Sequence, residues 1–217
     1  MHQHYVGSAS VPSSKRIDVG GLEVTLFLFY VFEVHYFMRM GLCVILAKFF
    51  KKRLSILDTA SFTSICLTTD VDMLLYHMNN ARYLREVDFA RVDFYERTKL
   101  FDTIRKKGGE VFQGATTIRY RRFIRPFTFY KITTRIIYWT ESAVYMEHRF
   151  LTADNFVRTI VLGQQKVVNC NLEEIIAELV TKKGGSENAI QKPECPLDLR
   201  KWIECNEISS VNLRNGC

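Results

Sequence analysis

The segment from Asp70 to Arg91 carries the residue types that acid–base and acyl-transfer chemistry uses. Within eleven positions it has two carboxylates, a histidine and two asparagines, namely Asp70, Asp72, His77, Asn79 and Asn80. The apolar spacing that follows the asparagines predicts a helix, and backbone N–H groups at a helix N-terminus point outward unpaired. Such groups can bind a carbonyl oxygen as it becomes an oxyanion, while a carboxylate activates water or attacks.

Each of these residues also has a purely structural interpretation. Asp70 or Asp72 could hold an Asx-turn, and His77 could be a core histidine with a satisfied hydrogen bond. The two asparagines could cap the helix. Glu86 and Asp88 are flanked by arginines, which is typical of a solvated helix face. Residue types and spacing alone leave the catalytic and structural interpretations both open.

The elements that would position these residues predict a compact α+β domain over residues 54–182. A short strand is predicted at 61–67 and a long helix at 80–107, which Gly108 and Gly109 end. Four strands follow at 116–123, 129–139, 143–152 and 156–168, with Asp154 and Asn155 in a turn before the last one. An antiparallel sheet of this kind has one face to cover, and the apolar stripe of the long helix can cover it. A linker and a C-terminal helical tail are predicted over 183–217.

Residues 24–47 are strongly apolar, and only Glu33, His35 and Arg39 among them can carry charge. As a helix they would span about 36 Å, enough for a bilayer core. Those charges are costly in a span, at roughly 3 kcal/mol for each Arg or Glu at mid-depth, so a buried helix of the folded domain is the alternative. We interpret 24–47 as an anchor helix that spans or lies in a membrane, preceded by a polar extension at 1–23.

The flanking charges predict an orientation for this anchor. Two basic residues precede it, whereas four follow it at once, as Lys48, Lys51, Lys52 and Arg53. The positive-inside rule then places the bulk of the protein in the cytosol, and we expect it at the endoplasmic reticulum. Six scattered cysteines, without C-x-x-C or paired-histidine spacing, predict free thiols rather than a zinc site or a disulfide framework. No metal and no cofactor is expected.

The chain of 217 residues has 30 Lys and Arg against 23 Asp and Glu, a net charge of +7. This surplus favours anionic partners such as phosphates or an anionic lipid surface. Nucleic acid is disfavoured, because no finger, RNP motif or long basic run accompanies the charge. Basic side chains concentrate around one strand junction, where they could bind phosphate groups: Arg119, Arg121, Arg122, Arg125 and Lys131.

The segment HMNNARYLREVDFAR, residues 77–91, resembles the H-x-N-N-x-x-Y segment of hotdog-fold thioesterases of the 4-hydroxybenzoyl-CoA and plant acyl-carrier-protein thioesterase type. The resemblance runs from about Glu33 to Leu213, includes RRFIRPF at 121–127 and DLRKWIECNEISS at 198–210, and is strongest toward an animal branch of that family. It implies a hotdog fold, in which an antiparallel sheet wraps a long helix. It also implies a homodimer with acyl-CoA sites at the dimer interface.

The resemblance further implies site residues. In the family, an acidic residue ahead of the histidine acts as base or nucleophile, so Asp72 takes that role here, and His77 shapes the loop or orients the thioester. Substrate contacts are expected from the matching positions Asn79, Asn80, Ala81 and Tyr83. The backbone amides of Asn80 and Ala81, at the helix start, would hold the thioester oxygen. The pattern differs ahead of the histidine: Asp72 lies five residues before His77 rather than four, and Met73 stands at the usual place of the acid. Tyr76 and Leu75 replace the family's glycine and asparagine.

Two functions follow from these observations. The first is a membrane-anchored hydrolase of acyl thioesters, with fatty acyl-CoA as substrate. The second is a non-catalytic hotdog protein that binds acyl-CoA or lipid, or acts as a scaffold in lipid metabolism. Both functions stay open because Asp72 lies one position away from the usual place of the family's acid.

Overall fold

The computed structural model of the chain describes residues 19–182 and 192–216. Most of the predicted polar extension at 1–23, and residues 183–191 at the start of the predicted linker and tail, therefore lie outside the described residues. The chain divides into two compact units, one up to Arg39 and the other from Met40 onward.

The apolar N-terminal segment forms two helices instead of the single helix expected over 24–47. Helix α1 spans Val19–Val31 and helix α2 spans Val34–Ile45, and α2 continues into a π-helical turn at Leu46–Phe50. The helices are separated at Glu33, whose φ of 46° lies in the left-handed region and cannot continue a right-handed helix. Among the helices that the structure describes, none is both long and apolar enough to cross a membrane. The prediction of a single helix was therefore wrong, whereas attachment of this segment to a membrane stays a prediction.

Five strands form one antiparallel sheet in the order β1-β3-β4-β5-β2. The strands are β1 Ala60–Ile65, β2 Glu110–Tyr120, β3 Phe129–Trp139, β4 Ala143–Thr152 and β5 Val157–Val168. The turn between β4 and β5 has Asn155 at a φ of 55°, as the Asp154-Asn155 pair predicted. Strand β2 begins six residues earlier than predicted, because it pairs with β5 along its whole length, from Glu110 opposite Val168 to Tyr120 opposite Thr159. Residues 121–123 consequently belong to a connection.

The long helix predicted over 80–107 is broken once. Helix α3 spans Asn80–Thr98 and helix α4 spans Leu100–Lys106, with Lys99 between them at a φ of 64°. The Thr98 hydroxyl donates to the carbonyl oxygen of Phe94 at 2.8 Å, so this last turn of α3 remains closed before the break. The change of direction lets Leu100 and Ile104 enter the core, where both are at most 1% exposed. Burial of these two side chains favours the break over a straight helix.

Helix α3 packs on one face of the sheet, as the apolar stripe predicted. Near its start the core contains Tyr83, Val87 and Ala90 together with side chains of β3, β4 and β5, including Ile132, Phe150 and Val161. Near its end the core contains Phe94 with α4 and with helix α5, Leu172–Thr181. Helix α6, Leu197–Arg214, packs Leu199 against Ala143 and Tyr145 in a separate cluster. This packing therefore holds the start of α3 against strands β3, β4 and β5.

One predicted surface residue of α3 is buried. Glu86 is 2% exposed, and the Tyr130 hydroxyl donates a hydrogen bond of 2.7 Å to its carboxylate. The solvated-face interpretation was wrong for Glu86, because this position of α3 faces the core and its carboxylate meets Tyr130. Asp93 is also fully buried, and it pairs with Lys51 and Arg97. Lys51, one of the basic residues after the apolar segment, thus fixes its own backbone to α3.

Candidate functional site

The loop from Cys66 to Asn79 connects β1 to α3 and is closed at its base by backbone hydrogen bonds. The Asp70 carboxylate accepts a hydrogen bond from the Leu67 N–H at 3.0 Å, and its carbonyl oxygen accepts one from the Asn79 N–H at 2.8 Å. Val71 and Met78 then form an isolated antiparallel bridge. Asp70 is buried and engaged in this turn, so the structural interpretation holds for it.

Asp72 organises the outer part of the same loop. Its N–H donates to the His77 carbonyl oxygen at 2.9 Å, and its own carbonyl oxygen accepts from the Leu75 N–H at 3.0 Å. Its carboxylate Oδ1 accepts from the N–H groups of Tyr76 and His77, at 3.0 and 3.2 Å. Oδ2 takes part in neither bond. The carboxylate therefore holds the loop through Oδ1.

The environment of Asp72 keeps its carboxyl ionised. Desolvation raises the pKa of this carboxyl. The opposing effects are together larger: they come from the hydrogen bonds of the His77 and Tyr76 amides, the electrostatic effect of the His77 side chain and the Leu74 amide. The net pKa of the Asp72 carboxyl lies below its ordinary value. At neutral pH the group is thus an anion, the form that a general base or nucleophile needs.

His77 is half-buried beside this carboxylate. Its Nδ1 lies 2.9 Å from the Met78 carbonyl oxygen, and because a carbonyl only accepts, Nδ1 carries the proton in the neutral ring. The ring stacks on Phe123, with centroids 4.3 Å apart and planes 7° from parallel. Two contacts thus fix the ring orientation, and in that tautomer Nε2 is a hydrogen-bond acceptor.

The structure distinguishes the two asparagines at the start of α3. Asn79 is the N-cap, and its side-chain oxygen accepts from the Ala81 N–H at 2.9 Å. The Ala81 amide, predicted as an oxyanion donor, is therefore already bonded. Asn80 occupies the first helical position, with its side chain exposed and its carbonyl oxygen bonded to the Tyr120 hydroxyl at 3.0 Å. Of the two predicted amides, the one at Asn80 is thus the better placed to bind an oxyanion.

Tyr83 lies in the core below this helix start. It is 2% exposed and makes edge-to-face contacts with Tyr120 and Phe150, at centroid distances of 5.2 and 5.1 Å. Burial raises the pKa of its hydroxyl above the ordinary value. In the single chain Tyr83 is a core residue that packs under the start of α3. A direct contact between Tyr83 and substrate stays a prediction.

A basic cleft lies next to the loop. It has a volume of about 370 Å³, and its lining residues are Tyr120, Arg121, Arg122, Phe123, Arg125 and Arg158. Phe123 joins the cleft to the loop, because its ring contacts both His77 and Tyr76. Three arginines of the predicted basic junction line this cleft, and Arg158 joins them from β5. Sequence reasoning missed Arg158, since only the pairing of β2 with β5 brings it there.

A second polar cavity, of about 430 Å³, lies between α3, β2 and β5. Asp88 borders it, and burial raises the pKa of the Asp88 carboxyl despite the nearby Arg91. His148 also borders it and is 1% exposed, with its Nδ1 2.9 Å from the Thr134 hydroxyl. The sequence analysis missed this cavity. The available signal was a histidine on the otherwise apolar face of β4, between Met146 and Phe150.

Two further observations concern the cysteines and possible metal ligands of the described residues. Five cysteines form no disulfide: Cys43, Cys66, Cys170, Cys195 and Cys205. Within the described ranges, no group of three or more His, Cys, Asp and Glu side chains is placed to bind a metal ion. The loop itself brings together the Asp72 carboxylate, the His77 imidazole and the N-terminus of α3.

Comparisons with known proteins agree with this architecture. The profile of the thioesterase-like superfamily matches residues 66–203. The chain is 41% identical to the protein THEM6 of Drosophila melanogaster over 194 residues, which are 89% of this chain and 97% of that protein. It is 36% identical to THEM6 of Danio rerio over 195 residues, covering 89% and 93% of the two chains.

Among solved structures, YbaW from Escherichia coli, described as a probable thioesterase, matches with a TM-score of 0.51 and 19% identity. The match covers 55% of this chain and 95% of YbaW, and at that identity it shows the fold alone. The predicted hotdog fold is confirmed. The chain therefore belongs to the thioesterase-like superfamily, and within it is related to the animal THEM6 proteins.

Proposed function

We propose that this protein hydrolyses acyl thioesters, with fatty acyl-CoA as its substrate class. The observation that carries the proposal is the ionised Asp72 carboxylate, held in a closed loop directly ahead of the N-terminus of α3. Membership of the superfamily supports a thioester substrate. The basic cleft beside the loop supports one that carries phosphate groups, as coenzyme A does.

In this mechanism the Asp72 carboxylate takes a proton from water, and the resulting hydroxide attacks the thioester carbonyl carbon. The carbonyl oxygen becomes an oxyanion beside the Asn80 N–H, where the positive end of the α3 dipole stabilises it. Collapse of the intermediate breaks the C–S bond, and the thiolate leaves and receives the proton. His77, fixed by Met78 and Phe123, orients the thioester from the side of the loop.

Asp72→Asn tests this role without opening the loop. The asparagine side-chain oxygen can still accept the amide hydrogen bonds of Tyr76 and His77, but it cannot take a proton from water. We expect kcat/KM for a long-chain acyl-CoA to fall by about 10²–10⁴-fold, with the melting temperature nearly unchanged. In the wild type, kcat/KM should decline only as pH falls through the depressed pKa of Asp72, because the base is active in its ionised form.

The matched control is Asp70→Asn, a change of the same chemistry two residues away. The Asp70 carboxylate accepts the Leu67 N–H in a turn, and an asparagine oxygen can accept the same bond, so this variant should keep its melting temperature and most of its activity. Equal activity in Asp72→Asn and the wild type would contradict the assignment of the base. In that case Asp72→Ala, which removes both loop hydrogen bonds, should still lower the melting temperature.

The second candidate is a non-catalytic protein that binds acyl-CoA or lipid, or serves as a scaffold. Two contacts favour it: Asp72 already accepts loop hydrogen bonds, and the Ala81 amide already bonds the Asn79 cap. Wild-type protein that binds acyl-CoA, by calorimetry across several chain lengths, without turnover of any of them would establish this candidate and reject the hydrolase.

We also propose that the apolar segment 24–47 attaches the protein to a membrane, at the endoplasmic reticulum with the hotdog domain in the cytosol. Large apolar side chains exposed along this segment support the proposal, among them Phe27, Phe32, Phe37, Met38 and Leu42. After extraction of cell membranes with alkaline carbonate the protein should stay in the pellet. Release into the supernatant would contradict attachment by this segment.

A homodimer is part of the same proposal. Strand β2 is an edge of the sheet, and most of its residues are exposed in the single chain. A free edge of eleven residues presents a row of unpaired backbone groups that a second copy can pair with.

A further inference from the structure

The tip of the loop between β1 and α3 is apolar and faces solvent. The loop tip, defined here as residues 73–76, consists of Met73, Leu74, Leu75 and Tyr76. Met73 is 93% exposed and Leu74 76%, and the other two are more than half exposed. Four consecutive large apolar residues are unfavourable in water and mark a contact surface. None of the catalytic roles proposed above uses them.

Several backbone amides of the loop are already bonded from within the loop. Asp72 and His77 pair across its neck, Leu75 donates to the Asp72 carbonyl oxygen, and the Asp72 carboxylate accepts from Tyr76 and His77. Leu75 takes a φ of 54° to make this closed turn. The N–H groups of Leu75 and Tyr76 therefore stay paired when the tip enters the headgroup region, which lowers the cost of burying irregular backbone there.

Cations and aromatic rings flank the tip. Tyr76 contacts Phe123, which is itself 57% exposed, at a centroid distance of 5.7 Å. The Arg125 guanidinium lies 5.9 Å from the centre of the Tyr76 ring, and that of Arg122 lies 4.3 Å from the centre of Phe156. In the part of the chain that the structure describes, neither guanidinium has a carboxylate partner, so both can bind an external anion.

We propose that the loop tip inserts into the headgroup region of an anionic phospholipid surface, while Arg122 and Arg125 bind lipid phosphates. Apolar side chains with adjacent tyrosine and arginine have the composition of an interfacial membrane contact. A second copy of the chain is a poorer occupant, because a two-fold contact would bring the arginines of one patch against those of the other. The contact lies on the hotdog unit and does not involve segment 24–47, and it shares Arg122 and Arg125 with the basic cleft proposed above for coenzyme A phosphates.

The test uses full-length protein with a local reporter, so that binding through any other segment does not register. Leu74→Trp is mixed with phosphatidylcholine vesicles, with and without phosphatidylserine, whose acyl chains carry bromine as a quencher. Trp139 is buried and Trp202 half-buried, and the wild type gives their background. We expect the fluorescence of Leu74→Trp to shift to the blue and to be quenched by the brominated lipid, more strongly with phosphatidylserine.

Matched variants decide the outcome. Leu213→Trp, at a leucine 72% exposed near the end of α6, should not be quenched. Adding Arg122→Gln and Arg125→Gln to Leu74→Trp should remove the phosphatidylserine-dependent part, whereas Lys182→Gln and Lys201→Gln, an equal charge change elsewhere, should retain it. Quenching at position 74 no greater than at 213 would overturn the proposal. So would a blue shift without vesicles that follows protein concentration or added acyl-CoA, because the tip would then contact a second copy or the substrate.

Discussion

At the residue scale, the loop ahead of α3 shows how two identical side chains acquire different roles. Asp70 is buried and holds a tight turn, while Asp72 holds the outer loop with one carboxylate oxygen and keeps a depressed pKa. The folded loop decides which backbone amides each carboxylate meets, and so sets these two roles. The extra residue between acid and histidine is part of the closed turn that exposes the loop tip.

His148 gives a pH prediction at the same scale. Burial, with the nearby Arg91 charge, lowers its pKa to about 3, far below the ordinary value of about 6.5. Because the folded pKa is depressed, its contribution to the unfolding free energy is complete above about pH 6.5 and is lost as pH falls toward about 3. Between pH 6.5 and 5 the loss should be about 2 kcal/mol.

Urea unfolding at several pH values measures this loss. His148→Asn, whose side-chain oxygen can still meet the Thr134 hydroxyl, should be less stable than the wild type at neutral pH. The two curves should converge on acidification, because the variant has no imidazole to protonate. Parallel curves between pH 7 and 5 would show that His148 is not the group responsible.

At the element scale, the start of α3 depends on one asparagine of the pair. Asn79→Ala removes the acceptor of the Ala81 N–H and should lower the unfolding free energy by about 1 kcal/mol. Asn80→Ala, at the neighbouring exposed position, should change it by a few tenths of a kcal/mol at most. Chemical denaturation of the two variants checks this pair, and equal losses would contradict the assignment of the cap.

At the scale of the whole molecule, β2 predicts how two copies meet. The Arg121 N–H, just after β2, donates to the Arg158 carbonyl oxygen at 2.8 Å. Alternation along the strand then points the Thr116 N–H away from β5, toward the free edge. We expect light scattering of the full chain in detergent to give a dimer. Thr116→Pro, which removes that N–H, should give monomers with little loss of stability.

Thr116→Ala is the control for this edge. It removes the same hydroxyl, which accepts from the Gln113 side chain, but keeps the N–H group. It should remain dimeric. A wild-type monomer, or a proline variant that stays dimeric, would contradict pairing through β2.

The sequence alone determined the order of strands and helices, the covering of the sheet by the long helix, and the family. The elements follow from the local periodicity of apolar residues. The family follows from a motif of fifteen contiguous residues, which can be recognised without a structure. The sequence also indicated that an asparagine caps α3, although not which one.

The tertiary structure decided what depends on partners distant in the chain. Glu86 is buried because Tyr130 lies opposite it, Arg158 joins the basic cleft because β5 pairs with β2, and α3 breaks at Lys99 because the core accepts Leu100. Likewise, Asp72 holds a loop whose closure requires His77 to fold back on it. In each case the local sequence permits several conformations, and burial or a hydrogen bond from another element selects one of them.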